Sequence, residues 1–355
     1  MTTVAVTGAG GLLGRALVAA LADPDVALGL DGGALSRLVA LDVLPPDVLA
    51  GRLVGAPPVL EPVRADVRDP DLAGRLAGVD VVVHLAFQMD PIRDVALMRA
   101  VNVDGTANVL AAARAAGVRR VIHLSSVVAY GAHPDNPLPI AEDHPLRGNA
   151  DFPYAEHKRD VEIALAALPP GGPTVTILRS AAVFGPGVQN FLSRVLELPV
   201  LPTITDTPPP LQFVHLDDVV GAVVHALSHP LDGAYNVAPD GWIAFADVLR
   251  VVGRRTLRLG PDRARALLAA AERTGVGELP AGALALFAHP WVLANDRLRA
   301  TGWAPRRTAE EALLEAVAEH APYVALGRLR ARRRTLVGAG VTAAVGLAVL
   351  ALRRR

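Results

Sequence analysis

The stretch Thr7-Gly8-Ala9-Gly10-Gly11-Leu12-Leu13-Gly14 limits what this chain can fold into more than any other segment. The apolar run Val4-Ala5-Val6 leads into it, and Leu12, Leu13, Leu17, Val18 and Leu21 follow at helical spacing. The glycines therefore mark a strand-to-helix turn. Gly8 permits the tight turn, Gly11 lets backbone N–H groups approach a pyrophosphate, and Gly14 lets the helix pack on the strand. The anion then sits on the positive end of the helix. A tight turn with no ligand explains the same glycines taken alone, so the partners farther along decide.

A second strand, Leu38-Val39-Ala40-Leu41, ends at Asp42. A carboxylate at that position accepts hydrogen bonds from an adenosine ribose, which points to NAD over NADP. Asp42 lies farther from Gly14 than the usual interval, as an inserted loop would require; a solvated strand-end aspartate is the plain alternative. Asp66-Val67-Arg68-Asp69 follows a short apolar segment, and Val79 to Ala86 reads as a buried parallel strand. Ala100 to Ala116 has helical periodicity, and Val121 to Ser126 is a further strand ending in two hydroxyls. This alternation predicts an α/β fold with a doubly wound, Rossmann-type parallel sheet. The ligand belongs at the carboxyl ends of its strands, where Gly8, Asp42, Ala86 and Ser126 fall.

A helix opening at Pro153 carries Tyr154 and Lys158, four apart and so on one face. A lysine ammonium near the phenol is expected to lower its pKa from ~10 toward working pH. A tyrosine so tuned serves as general acid or base on an alcohol or carbonyl oxygen.

Composition narrows the classes. With 355 residues there is room for one large α/β unit or two lobes. Lys plus Arg and Asp plus Glu balance at 35 each, so nothing in the overall charge calls for nucleic acid. The lack of cysteine removes disulfides, thiolate metal sites and cysteine nucleophiles. With a strand so close to Met1, no export signal is expected. His84, His123 and His215 lack metal-ligand spacing, and no metal is expected.

Taken together, these residues resemble the extended short-chain dehydrogenase/reductases, the NAD-dependent epimerase/dehydratase family. The resemblance covers roughly residues 3–320 and rests on ordered motifs: Thr7-Gly8-x-x-Gly11-x-x-Gly14, Asp66-Val67, Leu85-Ala86, Asn102-Val103-x-Gly105-Thr106, Leu124-Ser125-Ser126 before Tyr130-Gly131, and Tyr154-x-x-x-Lys158. Later landmarks are Leu178-Arg179, Val183-Phe184-Gly185-Pro186-Gly187, Phe213 to Val219, Tyr235-Asn236-Val237 and Leu298-x-x-Thr301-Gly302-Trp303-x-Pro305. The resemblance implies Tyr154 as acid/base, Lys158 as holder of the nicotinamide ribose, and Ser126, four before Tyr130, as partner of the reacting oxygen. It implies cofactor contacts from Gly8, Gly11, Leu12, Gly14, Asp42, Asp66, Val67, Leu85, Ala86, Asn102, Ser125, Tyr154 and Lys158. The implied reaction is hydride transfer between a substrate carbinol carbon and NAD. The implied layout is an NAD-binding core over 1–180 and a smaller, mainly substrate-binding lobe with return elements over 181–322. A basic juxtamembrane linker over 323–334 follows, then a transmembrane helix over 335–352.

Two departures bear on the substrate, expected first as a sugar or nucleotide-sugar. Ala182 stands where sugar-nucleotide members carry an asparagine, and Leu211-Gln212 where they often carry a diphosphate-gripping arginine. Val127-Val128-Ala129 offers no acid of the kind a dehydratase shows. The region from Leu267 to Leu293, with Phe287 and Trp291, lines a pocket or packs the core.

Arg328, Arg330 and Arg332-Arg333-Arg334 precede the uncharged stretch Thr335 to Leu352, and Arg353-Arg354-Arg355 follow it. At ~1.5 Å per residue this stretch spans ~27 Å, close to a ~30 Å hydrocarbon core once arginines snorkel. A single-pass C-terminal anchor in the cell membrane is expected, with the catalytic part on the cytoplasmic side; an interfacial helix is the alternative. Gly338, Thr342 and Gly346 at spacing four hint at a homodimer. Two further readings follow: a membrane-associated dehydrogenase of a steroid or isoprenoid alcohol, and a non-catalytic NAD-binding scaffold or sensor. The scaffold reading predicts damage at Ser126, Tyr154 or Lys158, and all three are intact.

Overall fold

Along β1 (Thr2–Thr7), Val4 and Val6 belong to one apolar core and Ala5 to another. That is the period-two result of a strand covered on both faces. The pattern repeats in β2 (Leu35–Asp42), where Leu38 and Ala40 face one way and Val39 and Leu41 the other. The structure is a computed structural model, and it describes residues 1–28, 30, 33–53, 59–89, 94–274, 279, 281–326 and 329–332. After β3 (Leu60–Arg64), β4 (Val81–His84), β5 (Arg120–Ser126) and β6 (Thr174–Ser180) come β7 (Ala182–Phe184), β8 (Val200–Thr203), β9 (Phe213–His215) and β10 (Gly233–Val237). Seven of these form one sheet in the order β10-β6-β5-β4-β1-β2-β3, every pair parallel. The order reverses between β1 and β4, and a cleft opens at such a switch point. The expected Rossmann-type sheet is present.

The chain beyond residue 180 divides its elements between two places. β10 returns to the edge of the large sheet, and helix Leu216–Ser228 packs against helix Leu12–Ala20. The pairs β7 with β9 and β8 with β11 (Arg255–Arg258) stand apart from that sheet, both parallel.

Two expectations meet a different outcome, and a third falls outside the described residues. The helix foreseen over 100–116 is interrupted: Val95–Arg99 runs into a π-turn at Ala100–Asp104 before Gly105–Ala115. The extra residue lets buried Asn102 turn inward, as π-bulges do at specialised positions. The stretch 323–334 is not a bare basic linker. Its described part pairs as an antiparallel hairpin, β12 (Tyr323–Leu326) with β13 (Leu329–Arg332), and Arg330 bonds the buried Glu197 carboxylate at 2.9 and 2.6 Å. His320 Nδ1 lies 2.5 Å from the same carboxylate, and Ala325 N–H donates to the Glu197 carbonyl at 3.0 Å. The ion pairs hold this hairpin to the segment after helix Phe191–Val195. The transmembrane helix expected over 335–352 lies outside the described residues. Among the described residues no helix is long and apolar enough to cross a membrane.

Candidate active site

The glycine turn follows β1 directly. Gly8 has φ of 70°, and a Cβ on it would stand 2.8 Å from the Ala86 backbone nitrogen. A Cβ on Gly14 would collide with the Gly8 carbonyl oxygen, so only glycine lets the helix sit this close to the strand. Helix Leu12–Ala20 has Gly11 as its N-cap and no side chain capping it, which leaves its N-terminal N–H groups for an anion. Thr7 supports the far wall: its hydroxyl accepts from Ala86 N–H at 3.3 Å and lies 2.8 Å from His84 Nδ1. Burial, with Lys158 nearby, pushes the pKa of His84 down to about 3, and the same causes hold His123 well below the usual range. Both imidazoles stay neutral spacers.

Two cavities meet at this turn. One, of about 380 Å³, is lined by Asp42, Asp66, Val67, Ala86 and Leu97 among others. Asp42 accepts from Gly10 N–H at 2.9 Å and from Leu44 N–H at 3.2 Å, which aims its carboxylate across the mouth of the turn. Asp66 is paired with Arg68 at 2.6 Å, and that hydrogen bond holds its carboxyl below the usual range. The other cavity, of about 320 Å³, is lined by Gly11, Leu12, Gly14, Leu85, Ser125, Ser126, Tyr154 and Lys158 together with residues of the later segments. Gly8 and Phe87 line both. Of the residues expected to touch the cofactor, Asn102 alone lines neither cavity. Fully buried, it accepts from Gln88 N–H at 2.7 Å and donates to Gln88 O at 2.9 Å, so it shapes the wall from behind.

Tyr154 and Lys158 share the inner face of helix Pro153–Ala166, and Ser126 closes β5. The phenol is not tuned as the sequence suggests. Burial pushes the Tyr154 pKa up to about 12 against a lowering hydrogen bond with Ser126. The Lys158 ammonium sits 6.0 Å from the Tyr154 ring centre, donates to Leu124 O at 2.7 Å and lies 3.5 Å above the Phe87 ring. Burial pulls its pKa down to about 7, with Glu162 working the other way. Helical spacing placed the pair on one face, but desolvation outweighs their attraction in the protein without ligand.

Two residues not singled out in the sequence belong to this site. Phe87 separates the two cavities and carries the Lys158 ammonium on its face. Glu162, one helical turn beyond Lys158, is buried, accepts from Ser125 Oγ at 2.5 Å and pairs with Arg179 at 2.7 Å. Its spacing of four from Lys158 was a usable signal. Arg179 in turn donates to Tyr130 Oη at 2.6 Å, which fixes the turn after Ser126.

The donor set fits a two-ended dinucleotide: carboxylates at one end, a side-chain-free cradle on a helix N-terminus in the middle, and hydroxyls with an ammonium at the other. A sequence model of the NAD dependent epimerase/dehydratase family matches residues 4–238. The chain belongs to this family. It is an NAD-dependent oxidoreductase of the short-chain dehydrogenase/reductase type, and NAD is its cofactor. An uncharacterized protein of Mycobacterium tuberculosis is 32% identical over 317 residues, covering 87% of this chain and 81% of the relative. A 3-diazoavenalumate denitrifying reductase of a Streptomyces species is 31% identical, covering 85% of this chain and 95% of the relative. The fold is similar to that of the NAD-bound dTDP-glucose 4,6-dehydratase of Streptomyces venezuelae, with TM-score 0.65 at 24% identity over 90% of this chain and 97% of that one. It is similar also to the UDP-glucose 4-epimerase of Thermotoga maritima, with TM-score 0.66 at 19% identity over 89% and 98%.

Proposed function

We propose that the chain moves hydride between NAD and the carbinol carbon of an alcohol that carries no nucleotide diphosphate. The observation behind this is that Ser126, Tyr154 and Lys158 line one cavity with the glycine turn, while the rest of that cavity's wall is mostly apolar. NAD, when bound, supplies the hydride acceptor or donor. The protein supplies the proton path: in the reducing direction the Tyr154 phenol donates its proton to the carbonyl oxygen and leaves a phenolate that the Lys158 ammonium offsets, in the oxidising direction that phenolate takes the alcohol proton, and Ser126 Oγ holds the same oxygen in both. Gly8, Gly11 and Gly14 seat the pyrophosphate, and Asp42 takes the adenosine ribose.

Nucleotide sugars, the first expectation from the sequence, fit the wall less well. Gln212, at the expected arginine position, donates to Gly241 O and Leu293 O at 3.0 and 3.1 Å and accepts from Leu293 N–H at 2.9 Å. Its polar atoms are therefore engaged by backbone. Asn190 accepts from Leu192 N–H and Ser193 N–H and donates to Val183 O, so it too is occupied as a helix cap. Among the described residues lining the catalytic cavity, Lys158 is the sole cation. A diphosphate there would lie without its usual clamp. The relative named for 3-diazoavenalumate supports looking beyond sugar nucleotides.

The arginine-flanked stretch 335–352 anchors the chain to the cell membrane in this reading, with the catalytic part cytoplasmic and helix pairing through Gly338, Thr342 and Gly346. A lipid-soluble alcohol is then within reach. The test is absorbance at 340 nm with NAD and two panels, sterol or isoprenoid alcohols and sugar nucleotides, with product analysis. Net NADH from a lipid alcohol is the expected result. A sugar nucleotide epimerised without net NADH overturns the substrate reading. For the anchor, the full chain is expected to remain in the membrane fraction after a high-salt wash; release by salt overturns it.

A further inference from the structure

Adjacent to the catalytic cavity lies a second, smaller one of about 50 Å³, partly open, and the two share Leu192 and Trp291 as a common wall. Every described residue lining the smaller cavity is apolar, Phe184, Leu201, Leu211, Phe213 and Val248 among them. Three facts decide what such a space can hold. Its polar neighbours are spent: the Trp291 indole N–H donates to Leu286 O at 2.9 Å and Gln212 is bonded to backbone, so only hydrocarbon is presented inward. Interiors pack at crystal density, and an apolar recess left unfilled forfeits dispersion contacts that an entering apolar group regains. At roughly 10–15 Å³ per water-sized sphere the space takes about four such spheres, close to the heavy-atom count of a short branched alkyl group.

From this adjacency we infer that the smaller cavity is the subsite for a branched alkyl terminus, so that the substrate is an amphiphile with its carbinol at Tyr154 and an isopropyl-like end past Leu192 and Trp291. This deepens the proposed function and rests on it. An isoprenoid alcohol has this shape, and Leu211, next to Gln212 in the pair that replaces the expected diphosphate clamp, lines this cavity.

The probes are alkan-2-ols of five to ten backbone carbons, each paired with its analogue carrying a terminal isopropyl group. Binding is read by calorimetry on NAD-loaded Tyr154→Phe protein, and turnover by NADH formation with the unaltered chain. At one chain length the branched alcohol is expected to bind roughly five- to tenfold tighter than its linear partner. Val248→Phe, which fills the subsite, reduces that ratio to about one, and Leu192→Ala, which thins the wall shared with the catalytic cavity, moves the preferred length upward; NAD binding checks that each variant is folded. Equal binding of every pair, or a ratio that survives Val248→Phe and a preferred length that Leu192→Ala does not shift, overturns the subsite. Branched preference without NADH formation keeps the subsite and removes the hydride-transfer reading. NADH without branched preference does the reverse. Tighter binding of UDP than of any alcohol overturns the amphiphile altogether.

Discussion

The two ends of the cleft are built by different means. The cofactor end is polar and made of backbone: glycines, a helix N-terminus, and carboxylates held by backbone N–H groups. The substrate end is apolar and made of side chains gathered from segments far apart in sequence, such as Ala182, Leu192, Leu211, Phe213 and Trp291. A backbone cradle recognises one phosphate geometry and tolerates little change. A side-chain wall can be rewritten one residue at a time, which is how a single fold serves chemically unrelated substrates.

Tyr154 stands at the seam between the two ends, so its loss has the largest effect. Tyr154→Phe is expected to lower kcat by roughly 10²- to 10⁴-fold while the NAD Kd moves by less than about tenfold; an equal loss of NAD affinity would merge the two halves into one. Lys158→Met comes next and is read in stability. Folded Lys158 gives up its proton near pH 7 against 10.5 for the ordinary side chain, so the unfolded chain holds more protons between those values. Stability of the NAD-free protein therefore rises with pH from about 7 to about 10.5. Urea denaturation at pH 7 and pH 9 is expected to show that slope, and the methionine variant is expected to lose it. At pH 7 the variant should exceed the parent by an amount on the order of a few kcal/mol.

Smaller effects sharpen the cofactor half. Gly14→Ala is expected to destabilise by about 1–3 kcal/mol, because the new methyl meets main-chain atoms that have no room to retreat. Thermal denaturation measures it; an unchanged Tm would mean that the helix is free to slide along the strand. Asp42→Ala is expected to weaken NAD binding about tenfold, ~1.4 kcal/mol, and to narrow the gap between NAD and NADP. Titration by NADH and NADPH fluorescence compares the two, and an unaltered ratio would remove Asp42 from ribose recognition.

What could be read from the sequence follows the same division. The glycine turn and the Tyr154-Lys158 pair were legible because each depends on spacing within one turn or one helix, and Asp42 and Asp66 because each stands at or just past the end of a strand. The cavity that receives Tyr154 and Lys158 was not, because it depends on how deeply the helix packs, and so the sign of the tyrosine shift was misjudged. Asn102 was placed with the cofactor although its amide clasps Gln88, a partner set by a π-turn that periodicity does not reveal. Gln212 was seen as a missing arginine. Only the fold shows that its amide stitches Gly241 to Leu293 and so is denied to any ligand.

Glu197 has a mechanical consequence. Its carboxylate, 1% exposed, is grasped by His320 and Arg330, so the final described strand is riveted to the segment after helix Phe191–Val195 and not to the seven-stranded sheet. Tension entering the chain from beyond residue 332 is carried into the segment at Val195 and Leu196, the same residues that wall the small apolar cavity. The load path ends beside the small apolar cavity and bypasses the glycine turn.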